Sequence, residues 1–156
     1  MIFLGIDPGT RRIGFGVVSA VENKLAFVAA GLLDITSSDD PGALAETKRE
    51  LDLLIQKYKP DAVAVERLYF AKNQKTAIAV AQARGVVLLS ARECNVPIRE
   101  YTPNEVKMGV AGYGHADKAA VLKMVRLILG KHDIAVIDDA SDALALAIMA
   151  SNDRTR

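Results

Sequence analysis

Two short apolar runs in this chain each end in a carboxylate, and this pattern restricts the possible fold more than any other feature. Residues 2–6 precede Asp7, and residues 62–65 precede Glu66. A short, continuously apolar run bounded by turn residues is typical of a strand that is buried on both faces. The helical pattern between the runs predicts that they are parallel neighbours joined by a right-handed crossover. The carboxyl ends of parallel strands meet at one edge of a sheet, so the two carboxylates are predicted to converge there.

A second group of acids lies at the start of the last apolar segment. Asp142 follows Asp138 by four residues and Asp139 by three, so either residue could share its helical face. One of the two is predicted to cap the helix, and the spacing does not decide which. An unpaired aspartate against a buried sheet edge is costly without a cation or a proton. Together with Asp7 and Glu66, these acids predict a site for a hard cation such as Mg²⁺ or Mn²⁺. Two such ions roughly 4 Å apart promote in-line attack on a phosphodiester, so the pattern predicts a metal-dependent nuclease.

The remaining elements alternate between strand and helix patterns. Strands are predicted at 12–20, 24–34 and 96–101; helices at about 44–58, 76–93 and 119–129, from Pro103, and from Asp138 or Asp139 onward; and a glycine-rich loop at 109–114. The first three strands are predicted to form an antiparallel meander, since short polar turns separate them.

Composition narrows the class of protein. The 156 residues are enough for one domain with a buried core, and 51% apolar with 25% charged residues is ordinary for a globular protein. No apolar run approaches the roughly 20 residues that span a bilayer, so no membrane association is expected. A net charge of +1 means that DNA binding would require basic side chains gathered on one surface. A single Cys94 and no visible signal peptide predict a cytoplasmic protein.

Short motifs follow one another in a specific order along nearly the whole chain. They are Gly5-Ile6-Asp7-Pro8-Gly9, Glu66-Arg67-Leu68-Tyr69-Phe70-Ala71-Lys72-Asn73, Gln82-Ala83-Arg84-Gly85, Tyr101-Thr102-Pro103, Gly112-Tyr113-Gly114-His115-Ala116-Asp117-Lys118 and Asp142-Ala143-Leu144-Ala145. In this order and spacing they resemble the RuvC family of Holliday junction resolvases, within the ribonuclease H-like superfamily. The resemblance implies an α/β, ribonuclease H-like fold with a five-stranded mixed sheet flanked by helices, formed by a single nuclease domain over residues 1–156.

The resemblance also implies a reaction and the acids that carry it. The family pattern of an aspartate, two residues and then Asp-Ala-Leu-Ala selects Asp139 over Asp138, which is left as the expected cap. Asp7, Glu66, Asp139 and Asp142 would then bind two Mg²⁺ ions, with Mn²⁺ as a substitute. The implied activity is hydrolysis of two symmetry-related strands of a four-way DNA junction during homologous recombination and repair. The nicks would carry 5′-phosphate and 3′-hydroxyl ends.

Four further residues are implied to contact DNA: Tyr69, Lys72, Lys107 and Lys118. Tyr69 matches the family's stacking aromatic and is predicted to point outward, while the adjacent Phe70 fills the core. From the residues alone, Lys107 and Lys118 could equally be solvated surface lysines. His115 has no partner spacing that indicates a metal site or a catalytic triad, and it is assigned no role.

A stripe of small residues on the long middle helix bears on assembly. Ala77, Ala81 and Gly85 recur every fourth residue, which allows another element to approach closely, either a second chain or the sheet of the same chain. The resemblance implies a homodimer through this helix, whose two-fold symmetry suits a four-way junction. It also implies the branch-migration proteins RuvA and RuvB as partners.

Other functions remain open on the residues alone. The four acids would equally serve another ribonuclease H-like nuclease that acts on RNA or on an RNA–DNA hybrid. Residues 5–10 also resemble the first phosphate loop of actin-like and sugar-kinase ATP-binding domains, although those proteins are far longer. A DNA-binding module without catalysis is a third alternative, and it would not need all four acids.

Overall fold

The computed structural model describes residues 1–22, 24–68, 74–131 and 138–153. Its strands are β1 (Ile2–Asp7), β2 (Gly14–Val21), β3 (Lys24–Leu32), β4 (Ala62–Glu66) and β5 (Ile98–Tyr101). Its helices are α1 (Asp40–Tyr58), α2 (Gln74–Glu93), α3 (Pro103–Ala111), α4 (Lys118–Ile128) and α5 (Asp138–Asn152). Tyr69, Phe70, Lys72 and His132 lie outside the described residues, so the predictions made for Tyr69, Phe70 and Lys72 are not tested here. Within the described ranges, no helix has the length and hydrophobicity of a membrane span.

The strands form one mixed sheet in the order β3-β2-β1-β4-β5. The first three strands are antiparallel neighbours, as the short polar turns predict. Strand β4 is parallel to β1 on its other side, and β5 is parallel to β4. The predicted five-stranded mixed sheet, including the parallel pairing of the two strands that end in carboxylates, is therefore confirmed.

The two faces of the sheet carry different helices. Side chains alternate along a strand, so Phe3 and Leu4 point to opposite faces. Phe3 belongs to the buried cluster formed with α3, α4 and α5. Leu4 and Ile6 belong to the cluster formed with α1 and α2. Each continuous apolar run is thus explained by burial on both faces, because neither face of the central strands meets water.

Helix α5 lies close to the sheet because three strand residues that face it, Gly5, Gly14 and Gly16, have no side chain. A Cβ atom on Gly5 would lie 1.9 Å from the main-chain oxygen of Ala143, and one on Gly14 would lie 2.0 Å from that of Asp139. Any larger residue at either position would push the helix away, since main-chain atoms cannot rotate aside. These three glycines therefore set the distance between α5 and strands β1 and β2.

Several predicted boundaries are corrected by tertiary contacts. Helix α3 continues to Ala111, so the predicted loop at 109–114 is wrong for its first three residues. The helix begins with a capping box in which Thr102 and Glu105 exchange hydrogen bonds, and it ends at Gly112, whose φ of 86° suits glycine. Gly109 lies inside the helix, beside the flexible side chain of Met149 on α5. The glycine that ends the helix is Gly112 and not Gly109.

Of the three small residues in the α2 stripe, Ala81 and Gly85 do not pack on the sheet of their own chain, whereas Ala77 is half-buried. Ala81 and Gly85 are exposed, and a Cβ atom added to Gly85 would meet no atom within 4 Å. Ile78 and Leu89 flank them on the same side, and they are 68% and 50% exposed. The side of α2 that packs inward carries Ala83, Val87 and Ala91. We call Ile78, Ala81, Gly85 and Leu89 the outer face of α2.

Candidate active site

Strand alternation brings the two strand-end carboxylates to the same face and the same edge of the sheet. The register of β1 with β4 pairs Ile6 with Val65, so Asp7 and Glu66 come one step later on adjacent strands. Asp7 shares a face with Gly5, against which α5 packs. Glu66 shares that face with Ala64, which belongs to the α5 cluster. Both carboxylates therefore point toward α5, and their predicted convergence is confirmed.

Helix α5 brings the other two acids to this edge. Gly14 pairs with Asp7 across the β1–β2 ladder, and the main chain of Asp139 rests on Gly14. Asp139 and Asp142, one helical turn apart, are both partly buried. The close approach permitted by glycine thus delivers the first turn of α5 directly to the end of β1. We refer to Asp7, Glu66, Asp139 and Asp142 as the acidic cluster.

The acidic cluster is electrostatically strained around Asp7. Burial, followed by the negative charges of Asp142, Glu66 and Asp139, raises the pKa of Asp7 to about 7. Burial and the charge of Asp142 also raise the pKa of Glu66. These shifts mean that the ionised carboxylates repel one another and are poorly hydrated. The arrangement is stabilised by a proton or by a cation at this edge.

Two cations of the chain already contact the cluster. Nε of Arg12 lies 3.0 Å from Oδ2 of Asp139, and Nζ of Lys118 lies 3.1 Å from Oδ2 of Asp142. The hydrogen bond to Asp142 and its charge raise the pKa of Lys118. Lys118 remains 70% exposed, so its ammonium group is also available to a ligand in solvent. The acidic cluster is therefore partly neutralised by side chains at its outer rim.

A cavity of about 300 Å³ opens between α4 and α5, next to the cluster. It is lined by Lys118, Ala119, Leu122, Asp138, Ser141 and Asp142. Asp138 is exposed at this cavity, while Asp139 is turned toward Arg12 and adds to the field at Asp7. Both residues thus lie near Asp142, on opposite sides of it, which is why spacing alone leaves the choice open. Asp138 is the first described residue of α5. The residue before it lies outside the described ranges, so the predicted capping role of Asp138 stays a prediction.

The cluster has the donor chemistry of a site for a hard divalent cation, although its side chains are not in ligand positions. In residues 1–22, 24–68, 74–131 and 138–153, no three His, Cys, Asp or Glu side chains form a ready-made metal-binding group. Two of the four carboxylates instead face Arg12 and Lys118. Carboxylate oxygens are the ligands that Mg²⁺ prefers in proteins. In this structure, Arg12 and Lys118 supply positive charge at the cluster instead. The residues therefore have the chemistry to hold a divalent cation once Asp139 and Asp142 turn away from Arg12 and Lys118.

The structure brings one predicted DNA-contacting lysine into the cluster and leaves a second beside it. Lys118 bonds to Asp142, as described above. Lys107 is half-buried in α3, and its charge lowers the pKa of Glu66. His115 is exposed in the loop between α3 and α4, and its role stays unassigned. Tyr69 and Lys72 remain predictions.

Two arginines at the site, Arg12 and Arg84, were given no role from the sequence, although Arg84 lies in one of the motifs. Arg12 follows the turn after Asp7. Its position so near a predicted acidic site could have indicated that it pairs with one of the acids. Arg84 donates from Nε to the main-chain oxygen of Glu66 at 3.0 Å. Nothing local in the sequence connects Arg84 to Glu66, since 18 residues separate them.

A mixed sheet whose parallel central strands and packed helix present carboxylates at one edge defines a site of the ribonuclease H-like nuclease class. Residues 3–150 match the family model described as crossover junction endodeoxyribonuclease RuvC. The chain is 43% identical over 154 residues to the protein of that name from Fusobacterium nucleatum, covering 97% of this chain and 80% of that protein. It is 44% identical over 155 residues to the one from Petrotoga mobilis, covering 99% and 95%.

A solved structure agrees with these relatives. T. thermophilus RuvC in complex with Holliday junction substrate superposes with a TM-score of 0.89 at 33% identity, covering 97% of this chain and 93% of that one. The chain therefore belongs to the RuvC family. This confirms both the resemblance drawn from the motifs and the ribonuclease H-like fold.

Proposed function

We propose that this protein resolves Holliday junctions by nicking two symmetry-related strands during homologous recombination and DNA repair. Its membership of the RuvC family bears out the predicted enzyme class, a crossover junction endodeoxyribonuclease. The observation that supports the proposal most directly is the convergence of the acidic cluster on Asp7, whose pKa is raised to about 7. The expected products carry 5′-phosphate and 3′-hydroxyl ends, and residues 1–156 act as one nuclease domain.

The proposed catalytic residues are the four acids of the cluster, as holders of two Mg²⁺ ions, with Mn²⁺ as a substitute. When bound, such a pair supplies an activated water molecule and charge stabilisation of the leaving 3′-oxygen. Burial of Asp7 and Glu66 keeps bulk water from competing for their oxygens, which strengthens their affinity for cations. To hold the ions, Asp139 and Asp142 would give up their contacts with Arg12 and Lys118.

Basic side chains beside the acidic cluster are proposed to contact the DNA. Lys118 is long, exposed and within reach of the cluster, so its ammonium group can hold a phosphate oxygen of the DNA at the cutting site. Lys107 supplies a second positive charge beside Glu66. Tyr69 and Lys72 are proposed as further DNA contacts, with Tyr69 stacked on a base at the strand crossing.

A homodimer is proposed as the working assembly. The outer face of α2 exposes Ile78 and Leu89 beside the small residues Ala81 and Gly85, so a second copy can approach closely and bury apolar surface. Two-fold symmetry would place two acidic clusters against the two equivalent strands of a four-way junction. RuvA and RuvB are the proposed branch-migration partners, and the proposed location is the cytoplasm.

One cleavage assay tests the proposed function. A synthetic four-way junction, a linear duplex of the same sequence and an RNA–DNA hybrid are each incubated with the protein, with and without Mg²⁺. We expect paired nicks in the junction only, and only with Mg²⁺. Cleavage of the hybrid in preference to the junction would instead identify another ribonuclease H-like activity, and cleavage in EDTA would contradict the role of the acids.

A further inference from the structure

Arg84 connects the outer helix of the protein to the acidic cluster across the edge of the sheet. It lies on α2, which packs on the opposite face of the sheet from α5. Its Nε donates to the main-chain oxygen of Glu66 at 3.0 Å, and its guanidinium also donates to the carboxylate of Glu100 on β5. The Arg84 side chain is only 17% exposed, so little water competes for these contacts.

The contact falls where the sheet no longer holds Glu66 on both sides. Pairing of β1 with β4 ends at Ile6 and Val65, one residue before Glu66. On the β5 side, the amide of Arg67 still donates to the oxygen of Tyr101. A strand end of this kind can shift unless something outside the ladder holds it. Arg84 supplies such a contact at Glu66, whose carboxylate belongs to the acidic cluster.

The planar guanidinium group of Arg84 makes its contact with Glu66 directional. Its donors lie in one plane at fixed angles, so simultaneous bonds to Glu66 and Glu100 leave the group little freedom. The carboxylate of Glu100 also offsets the cost of burying the positive charge. Arg84 immediately precedes Gly85 and follows Ala81 by three residues, so it shares a helical turn with the outer face of α2. A shift of this turn would therefore change the contact that holds the main chain of Glu66.

We propose that Arg84 is a positioning residue that fixes Glu66 and couples the outer face of α2 to the acidic cluster. The proposal rests on the function proposed above, in which Glu66 holds a metal ion and α2 pairs two protomers. Pairing through the outer face would then steady Glu66, so that an enzyme with two protomers in place has the more ordered site. Arg84 acts through Glu66 and not on the DNA.

The test compares Arg84→Ala, Arg84→Lys and Glu100→Gln with Arg49→Ala, a control from α1 whose arginine also pairs with a glutamate, Glu50, but away from the site. Four quantities are measured: the single-turnover rate on a four-way junction, junction affinity in EDTA, the sedimentation coefficient, and Mg²⁺ affinity by calorimetry without DNA. For Arg84→Ala we expect both the rate and the Mg²⁺ affinity to fall about tenfold or more, as on loss of a residue that orients a metal ligand. Junction affinity should change less than twofold and the dimer should persist.

The conservative variants sharpen the result. Arg84→Lys should recover part of the rate, because an ammonium group can reach one of the two acceptors but cannot bridge both. Glu100→Gln should give a smaller loss than Arg84→Ala, and Arg49→Ala should match the wild type. If Arg84→Ala does not fold, Arg84→Lys and Glu100→Gln provide the test, since both change the same contact.

Two outcomes would overturn the proposal. The first is an Arg84→Ala protein with wild-type rate and wild-type Mg²⁺ affinity. The second is a loss of rate that Arg49→Ala reproduces, or that comes with an equal loss of junction affinity, since either would indicate general damage. A wild type that fails to cleave junctions would refute the proposed function alone, because the Mg²⁺ titration would still decide whether Arg84 orders the cluster.

Discussion

Helices α5 and α2 are both rich in alanine, yet they occupy opposite environments. Helix α5 is buried over most of its length, and Ala143, Ala145 and Ala147 have no exposed surface. Helix α2 is longer, and its outer face carries an exposed Ile78 and Leu89. The same small residue thus serves tight packing against the sheet in α5 and an open surface in α2. Alanine spacing predicts close approach but does not identify the element that approaches.

The two helices also divide the proposed work of the protein. Helix α5 delivers Asp139 and Asp142 to the acidic cluster, and α2 offers a surface for a second copy. A variant of an α5 acid should therefore impair cleavage and spare the dimer, whereas a variant on the outer face of α2 should impair the dimer first. The following experiments test that separation, from the largest expected effect to the smallest.

The largest effect is expected on α5, for Asp142→Asn. The change removes the carboxylate whose charge acts most strongly on Asp7. We expect the cleavage rate to fall about a thousandfold or more, equivalent to roughly 4 kcal/mol of transition-state stabilisation. Junction binding in EDTA should be unchanged or tighter, because repulsion of phosphate is reduced, and the dimer should persist in sedimentation. Weaker junction binding by a folded variant would show that Asp142 serves the architecture instead.

The counterpart on α2 is Ala81→Glu. A carboxylate buried between two copies of the outer face would cost roughly 3 kcal/mol, which weakens dimerisation about a hundredfold. We expect monomers in sedimentation and single, uncoupled nicks in place of paired ones. The melting temperature should stay near that of the wild type, because Ala81 is exposed in the protomer. Ala81→Ser is the matched control, and a wild type that stays monomeric with junction present would contradict the assembly.

A pair of glycine substitutions compares the packing of the two helices. Gly5→Ala places a Cβ atom 1.9 Å from the oxygen of Ala143 and should cost roughly 3 kcal/mol of unfolding free energy. Gly85→Ala meets no atom within 4 Å and should stabilise the protomer by about 0.5–1 kcal/mol through a stiffer unfolded chain. Urea denaturation at low protein concentration measures both. Equal changes for the two variants would mean that α5 does not depend on the close approach at Gly5.

An effect smaller than that of Gly5→Ala is expected in the pH dependence of the metal-free protein. The pKa of Asp7 is raised in the folded state to about 7, so its favourable contribution is present at low pH and is lost as pH rises through 7. Between pH 5 and pH 8 in EDTA, we expect this group to lower the unfolding free energy by roughly 2 kcal/mol. Asp7→Asn should flatten that part of the profile, as measured by urea denaturation at each pH. An unchanged slope in the variant would assign the dependence to other groups.

The sequence predicts those features that depend on local patterns or strand direction. Asp7 and Glu66 could be placed together because parallel strands end at the same edge, and the register of Ile6 with Val65 confirms it. The strands and helices follow from hydrophobic periodicity, although α1 begins at Asp40 because Asp39 caps it by accepting from the amide of Gly42. Such capping shifts a boundary without changing the type of element.

Features that depend on distant contacts could not be predicted. The loop expected from Gly109 onward is wrong because α3 continues through Gly109, beside Met149 of α5, and ends only at Gly112. The choice between Asp138 and Asp139 depends on how α5 is rotated over Gly14, and helical spacing contains no such information. The contact of Arg84 with Glu66 likewise depends on the fold as a whole. Family resemblance, and not spacing, supplied the choice of Asp139.

The glycines beneath α5 have a consequence for protein engineering. Transplanting this site onto another sheet would require more than copying four acids onto equivalent positions. The recipient strands would also need residues without side chains at the places of Gly5, Gly14 and Gly16, because a methyl group at any of them would hold the donor helix off the sheet. The helix acids would then stop short of the strand acids. A design that copies only the charged residues would reproduce the composition of the site but not the short distance between the helix acids and the strand acids.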